Sequence, residues 1–219
     1  MCNTRYNVQY KKRRKMSEIK LIVGLGNPGE EYANTRHNAG WKVINLLGEH
    51  LNANYWKNEC GASTTHIQWR APSKNPLELS PAKKLILAKP QSYMNTSGGP
   101  VSKLAAEYNI KPDEILIVHD EMDLPLGTVR VKVAGGHGGH NGLRSIHAKL
   151  ACGDYVRVRI GTGHPTDNGS VTKHVLSAPK GKDAQEFEHS LHIAADAVMC
   201  VLEKGISTAM NRFNVKTEQ

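Results

Sequence analysis

Two residues of this chain have the chemistry of a hydrolytic dyad. His37 closes a polar, glycine-rich stretch that begins at Gly24 and runs through Asn27-Pro28-Gly29 and Thr35-Arg36-His37-Asn38. Asp120 follows the apolar run Ile115-Leu116-Ile117-Val118 with only His119 between. An imidazole has an unperturbed pKa of about 6.5 and is largely neutral near pH 7, so it can take a proton from water. A carboxylate on its other nitrogen fixes the tautomer, raises the basicity and stabilises the imidazolium that forms. Such a base is worth roughly 10²–10⁴ in rate. The residues also allow His37 to cap a helix and Asp120 to close a turn, and the order of residues alone leaves both readings open.

Three asparagines stand beside glycine or in glycine-rich loops: Asn27, Asn95 and Asn141. An amide both donates and accepts, so a set of them can grip a peptide backbone, or each can simply form a turn. Asn95 is placed to donate to a developing oxyanion, a role worth about 2.7–4 kcal/mol where one is present. A side-chain nucleophile is not offered. The G-x-S-x-G elbow is absent, Ser97 looks like a helix start, and no cysteine lies in an electropositive glycine turn. Direct attack by water is the remaining route.

Gly135-Gly136-His137-Gly138-Gly139-His140-Asn141-Gly142 invites a metal reading, but H-E-x-x-H and EF-hand spacings are missing and a glycine loop is a pliable mount for zinc. A mobile gate over the site, carrying Gly138 and His140, is the expectation, with no metal. Gly24-x-Gly26-x-x-Gly29 matches a dinucleotide fingerprint, yet Pro28 interrupts it and the helical pattern begins only near Asn38. No helix N-terminus would then meet a pyrophosphate.

These residues need a frame, and the apolar patterning supplies one. Leu21–Val23, Leu85–Ala88 and Ile115–Val118 read as buried strands. Residues 60–70 alternate weakly as a further strand, and the proline-bearing stretch 71–83 reads as a surface loop. Helical spacing appears over 38–52, from Val101 to Tyr108 with Thr96 or Ser97 as N-cap, over 141–150 and over 183–204. Val129, Val131 and Val133 alternate with Arg130 and Lys132; Val156, Val158 and Ile160 alternate with Arg157 and Arg159. If these two strands are neighbours, four cations share a face and offer a phosphate track. The fold expected is α/β: a single-domain three-layer sandwich, with a mixed central sheet and helices on both faces. The polar loops then lie beyond the carboxyl ends of the strands, where such sheets bind ligands.

Composition agrees. The 219 residues are 39% hydrophobic and 22% charged, with no apolar run long enough to span a membrane and no signal peptide. Cys2, Cys60, Cys152 and Cys200 are too scattered for a disulfide framework and fit free thiols in a reducing compartment. Of the net charge of +9, residues 1–16 carry +6 with no acid, so this segment is expected to be a solvated extension and residues 17–219 the catalytic domain.

Taken together, Gly26-Asn27-Pro28-Gly29, Thr35-Arg36-His37-Asn38, Met94-Asn95, His119-Asp120-Glu121 and the Gly/His/Asn loop resemble the bacterial-type peptidyl-tRNA hydrolase family, in order from about Ile19 to Phe213. The resemblance implies a cofactor-free hydrolase of the ester joining peptide to tRNA. Its partner would be the acceptor stem and 3′ end of peptidyl-tRNA, and it would act as a cytoplasmic monomer. It places His37 as base, Asp120 as its support and Asn27 as the residue that separates blocked peptidyl from free aminoacyl esters. Tyr32, Tyr93, Asn95 and Asn141 fall on substrate contacts, and Lys132 and Arg159 on a phosphate clamp, with Arg130 a further candidate. The readings that compete are a non-catalytic RNA-binding protein of this fold and a metallohydrolase. Tyr93 stands where phenylalanine is common, and Asp167-Asn168-Gly169 replaces a stretch that often carries a tRNA-binding lysine.

Overall fold

The computed structural model describes residues 17–73, 75, 77–165 and 169–215; the basic segment 1–16 and Asp167 and Asn168 lie outside it. Among the described residues, seven strands form one sheet in the order β2-β3-β4-β1-β5-β7-β6. They are β1 Leu21–Gly24, β2 Lys57–Glu59, β3 Ala62–Trp69, β4 Lys83–Pro90, β5 Ile115–Glu121, β6 Val129–Val133 and β7 Val156–Gly161. β4, β1, β5 and β7 run parallel; β3 pairs antiparallel with β4 and β6 with β7, and β2 at the edge pairs antiparallel with β3. The helices are α1 Ala39–His50, α2 Gly98–Glu107, α3 Asn141–Leu150, α4 Val171–Val175, α5 Lys182–Lys204 and α6 Ile206–Phe213. None of the described helices is long and apolar enough to cross a membrane.

The central strands are apolar throughout because both faces are covered. Ile22, Leu87, Leu116 and Val118 face the layer of α1, α5 and α6, while Leu21, Val23, Ile86, Ile115 and Ile117 face α2 and α3. This is the three-layer sandwich the patterning predicts. The strand and helix bounds depart from expectation by a few residues, as cooperative ends do. β2 and α4 are too short to have been anticipated, whereas α6 falls where the sequence around Ser207 reads as a helical tail. Ser97 stands at the N-cap of α2 as expected, but its hydroxyl does not cap the helix: Ser97 Oγ donates back to Met94 O, as Thr96 Oγ1 does to Tyr93 O, around the 3₁₀ turn Met94–Thr96. The α2 N-terminus is served by α3 instead, through Gly98 N donating to Ser145 Oγ at 3.0 Å.

One approach positions the whole site. α1 follows β1 so closely that a Cβ on Gly40 would lie 2.3 Å from Leu25 N and 2.4 Å from Val118 O. Both neighbours are backbone, one held in the β5 ladder, so neither can yield. Gly40→Ala is expected to lower stability by about 3 kcal/mol in urea unfolding, the upper range for overpacking of a rigid site.

Candidate active site

The residue before α1 is reached by an unusual path. After β1 the chain continues alongside β5, with Leu25 N donating to Val118 O at 2.9 Å. It then loops out and returns as a 3₁₀ turn, Arg36–Asn38, that runs into α1. The return is fixed by Asn38, which is 2% exposed: its Oδ1 accepts from Asn27 N at 2.9 Å and its Nδ2 donates to Asn27 O at 3.0 Å. Asn27 in turn accepts from Met94 N through Oδ1 at 2.7 Å, tying the loop after β1 to the loop after β4. With its oxygen engaged there, Asn27 offers the cleft its amide NH2. Sequence reading quoted Asn38 in its motif but gave it no task.

This closure carries His37 over the end of β5. Its Nδ1 lies 2.9 Å from each oxygen of Asp120, so Nδ1–H donates and the Nε2 lone pair is left for the cleft. His37 is 8% exposed and Asp120 2%. Burial lowers the His37 pKa, but the charge of Asp120 and its hydrogen bond outweigh that, leaving the ring more basic than ordinary imidazole. Burial alone would push Asp120 up; the charges of His37 and His140 and their hydrogen bonds hold it well below the usual carboxylate range.

His140 differs from the expectation of a gate residue. Its Nε2 donates to Asp120 Oδ1 at 3.0 Å, and its Nδ1 accepts from Gly142 N at 3.1 Å and from Leu143 N at 3.4 Å, capping α3. Both nitrogens are engaged, so His140 is an anchor. Gly138 and Gly139 before it line the cleft in open surroundings, with no heavy atom within 4 Å of a built Cβ. Behind His140 lies His119, fully buried, whose ring is 5.0 Å away and whose Nδ1 donates to Asp120 O at 2.6 Å. Burial and the neighbouring His140 keep its pKa well down, so His119 is neutral and adds no competing charge beside Asp120.

His37, Asp120 and His140 bring ligand atoms within 4.8 Å of one another. Their protons argue against a cation there. To offer Nε2 to a metal, His140 would have to carry its proton on Nδ1, against the two backbone N–H groups that Nδ1 now accepts from. The donor set does not fit a metal.

The dyad opens into a cleft of about 470 Å³. Asn27, Asn95 and Asn141 all line it, and Asn141 Oδ1 also accepts from Arg144. Tyr32 and Tyr93 meet edge to face at 6.4 Å on its rim, with Tyr93 59% exposed. The far wall is apolar: Met122 from the loop after β5, and Val171, Val175 and Leu176 from α4 and its end. Sequence reading missed this wall. Its signal was the spacing of Val171 and Val175, one helical turn apart, after Ser170, whose side chain caps α4.

The basic strands are neighbours, with Arg130 opposite Arg159 and Lys132 opposite Arg157. The expected face of four cations needs correction, because three are engaged. Arg157 is 3% exposed and turned onto backbone carbonyls. Arg159 pairs with Glu121 at 3.0 Å, and Arg130 donates to Asn214 O at 2.7 Å. Lys132 is exposed. Glu121 lines the cleft, so its pair with Arg159 joins the cation face to the cleft wall.

Comparison with known proteins places the chain in a family. The family model described as peptidyl-tRNA hydrolase matches residues 21–219. The chain belongs to the peptidyl-tRNA hydrolase family. Peptidyl-tRNA hydrolases of Histophilus somni and Haemophilus influenzae are 42% and 44% identical over 200 residues, which are 91% of this chain and 98% of each relative. The crystal structure of the Acinetobacter baumannii peptidyl-tRNA hydrolase superposes with a TM-score of 0.79 at 36% identity, covering 92% of this chain and 97% of that one.

Asn38→Ala removes both bonds to Asn27 and leaves a buried N–H and C=O unpaired. A loss of roughly 1–3 kcal/mol in denaturant unfolding is expected, with activity reduced because His37 loses its seat.

Proposed function

We propose that this protein hydrolyses the ester between peptide and tRNA in peptidyl-tRNA, releasing both, with His37 as general base. The observation that carries the reading is the buried Nδ1–Asp120 contact of His37 at 2.9 Å, which leaves Nε2 facing the cleft. Water held at Nε2 gives up its proton as its oxygen attacks the ester carbonyl carbon. Asp120 stabilises the imidazolium without itself taking the proton. The Asn95 amide is placed in the cleft to donate to the carbonyl oxygen as it gains charge. The imidazolium then returns its proton to the departing 3′ oxygen of the ribose as the C–O bond breaks. Asn27 contributes amide N–H groups to the peptide, and Asn141 and the Tyr32–Tyr93 pair supply further contacts.

The acceptor stem lies, in this reading, along the strand face outside the cleft. Lys132 meets its phosphate directly, and Arg159, braced by Glu121, and Arg130 supply further positive charge beside it. Residues 17–219 act as the catalytic domain, as a cytoplasmic monomer without metal or cofactor.

His37→Ala is expected to lower turnover of tRNA bearing an N-acetylated amino acid by about 10²–10⁴, with tRNA binding kept; near-normal turnover would remove His37 as base. The pH profile gives a second test. His37 acts when neutral and its pKa is raised, so the rate should fall on the acid side with a midpoint above 6.5. Asp120→Asn removes the raising contributions and leaves burial, so the midpoint moves to lower pH while the plateau rate falls. For the phosphate track, Lys132→Ala should reduce the slope of log affinity against log salt by roughly 0.9 per lost contact; an unchanged slope would count against Lys132.

A further inference from the structure

Arg157 has no place in the mechanism above, yet it is among the most buried cations of the chain. It is 3% exposed, and none of the ion pairs among the described residues involves it. Its two terminal nitrogens are turned onto backbone, while Nε is buried without a hydrogen-bond partner. Nη1 donates to Gly136 O at 2.6 Å, Nη2 to Gly135 O, and the group lies 4.9 Å over the ring of Tyr155. His147 on α3 accepts from Nη2 at 3.4 Å and packs edge to face on both Tyr155 and His137. Burying a cation with no carboxylate in salt-bridge contact is costly, and a fork that turns its two terminal nitrogens onto successive carbonyls is a device for fixing a loop.

The loop it fixes connects β6 to α3, and near its end it closes into a local turn, with Gly139 N donating to His137 Nδ1 at 3.2 Å and His140 N to His137 O at 3.0 Å. Ala134 N donates to Tyr155 O at its start. Gly136, Gly138 and Gly139 have nothing within 4 Å of a built Cβ, so packing does not define their path. At its end stands His140, the second hydrogen-bond donor to Asp120. Arg157 is therefore the side chain that ties the stretch leading into this turn, and so into His140, to the sheet.

We infer that Arg157 is a positioning residue for hydrolysis: by gripping the carbonyls of Gly135 and Gly136 it keeps His140 on Asp120, and so keeps Asp120 aligned with His37. Arg157 touches neither substrate nor dyad. The inference rests on the catalytic reading proposed above and adds a residue that the strand alternation assigns to a phosphate-binding face.

The test is steady-state kinetics on N-acetylated aminoacyl-tRNA with Arg157→Gln, His140→Asn and the double variant, alongside His37→Ala. Arg157→Gln should lower kcat by about 10–100-fold, as for a small displacement of reacting groups, with KM changed less than about twofold because no tRNA contact is lost. The double variant should be no slower than His140→Asn alone, since both changes break one path. Arg157→Lys, which keeps the charge and one carbonyl bond, should recover part of kcat; it also serves in the same cycle if Arg157→Gln does not fold. An unaltered kcat would overturn the inference. So would a raised KM with a flatter salt dependence, which would make Arg157 a phosphate contact, and so would additive losses, which would mean that its effect bypasses His140. Full activity of His37→Ala would instead overturn the catalytic reading itself, so the two failures are distinct.

Discussion

The structure turns on one buried carboxylate. Asp120 is almost wholly out of water, and an ionised group in that position pays several kcal/mol in desolvation unless donors surround it. Two imidazoles supply them, His37 from one side of the sheet end and His140 from the other. The arrangement is asymmetric in a useful way. His140 has its tautomer dictated by the α3 backbone and stays a fixed donor. His37 has only Asp120 on Nδ1, so its Nε2 is the one basic atom of the trio directed at the cleft. One anion therefore does two things: it raises the basicity of His37, and it draws two loops distant in sequence to one point.

The fold makes that meeting inexpensive. β1 lies between β4 and β5, and the loops leaving these three parallel strands emerge on the same edge of the sheet. Each loop is then tied to the next by a short polar contact rather than by apolar packing. Asn38 holds Asn27, Asn27 holds Met94, and Ser145 holds the start of α2. Apolar burial fixes the layers, and directional bonds fix the chemistry upon them. The close passage of Gly40 between Leu25 and Val118 links the two levels, since it sets how far His37 can stand from β5.

Much of this was legible in the residues. Runs such as Ile115–Val118 read as strands covered on both faces, and Asp120 at the end of one, with His37 at a loop–helix junction, made the dyad a candidate that the family resemblance then singled out. What escaped reading escaped for physical reasons. Alternation in Val156–Ile160 reports which residues oppose the apolar face, but not whether that opposite face meets water or another loop, so Arg157 looked like surface. The helix over 141–150 was legible, but histidine is not among the usual capping side chains, so nothing in the spacing marked His140 as its N-cap. Val171 and Val175 make a single helical turn, too brief for periodicity to stand out, yet they wall the cleft. The Asn38–Asn27 contact spans only eleven residues, but nothing in the spacing tells an amide that brackets a backbone from one that forms a turn.

The account's central claim is that His37 in its neutral form carries its proton on Nδ1, against Asp120, and presents Nε2 as a strong base. Nitrogen NMR of the histidine side chains across the pH range reads this directly. The Nδ1–H tautomer of His37, converting to imidazolium with a midpoint above 6.5, is the predicted result. A neutral His37 protonated at Nε2, or one that titrates below that value with Asp120 intact, would contradict it.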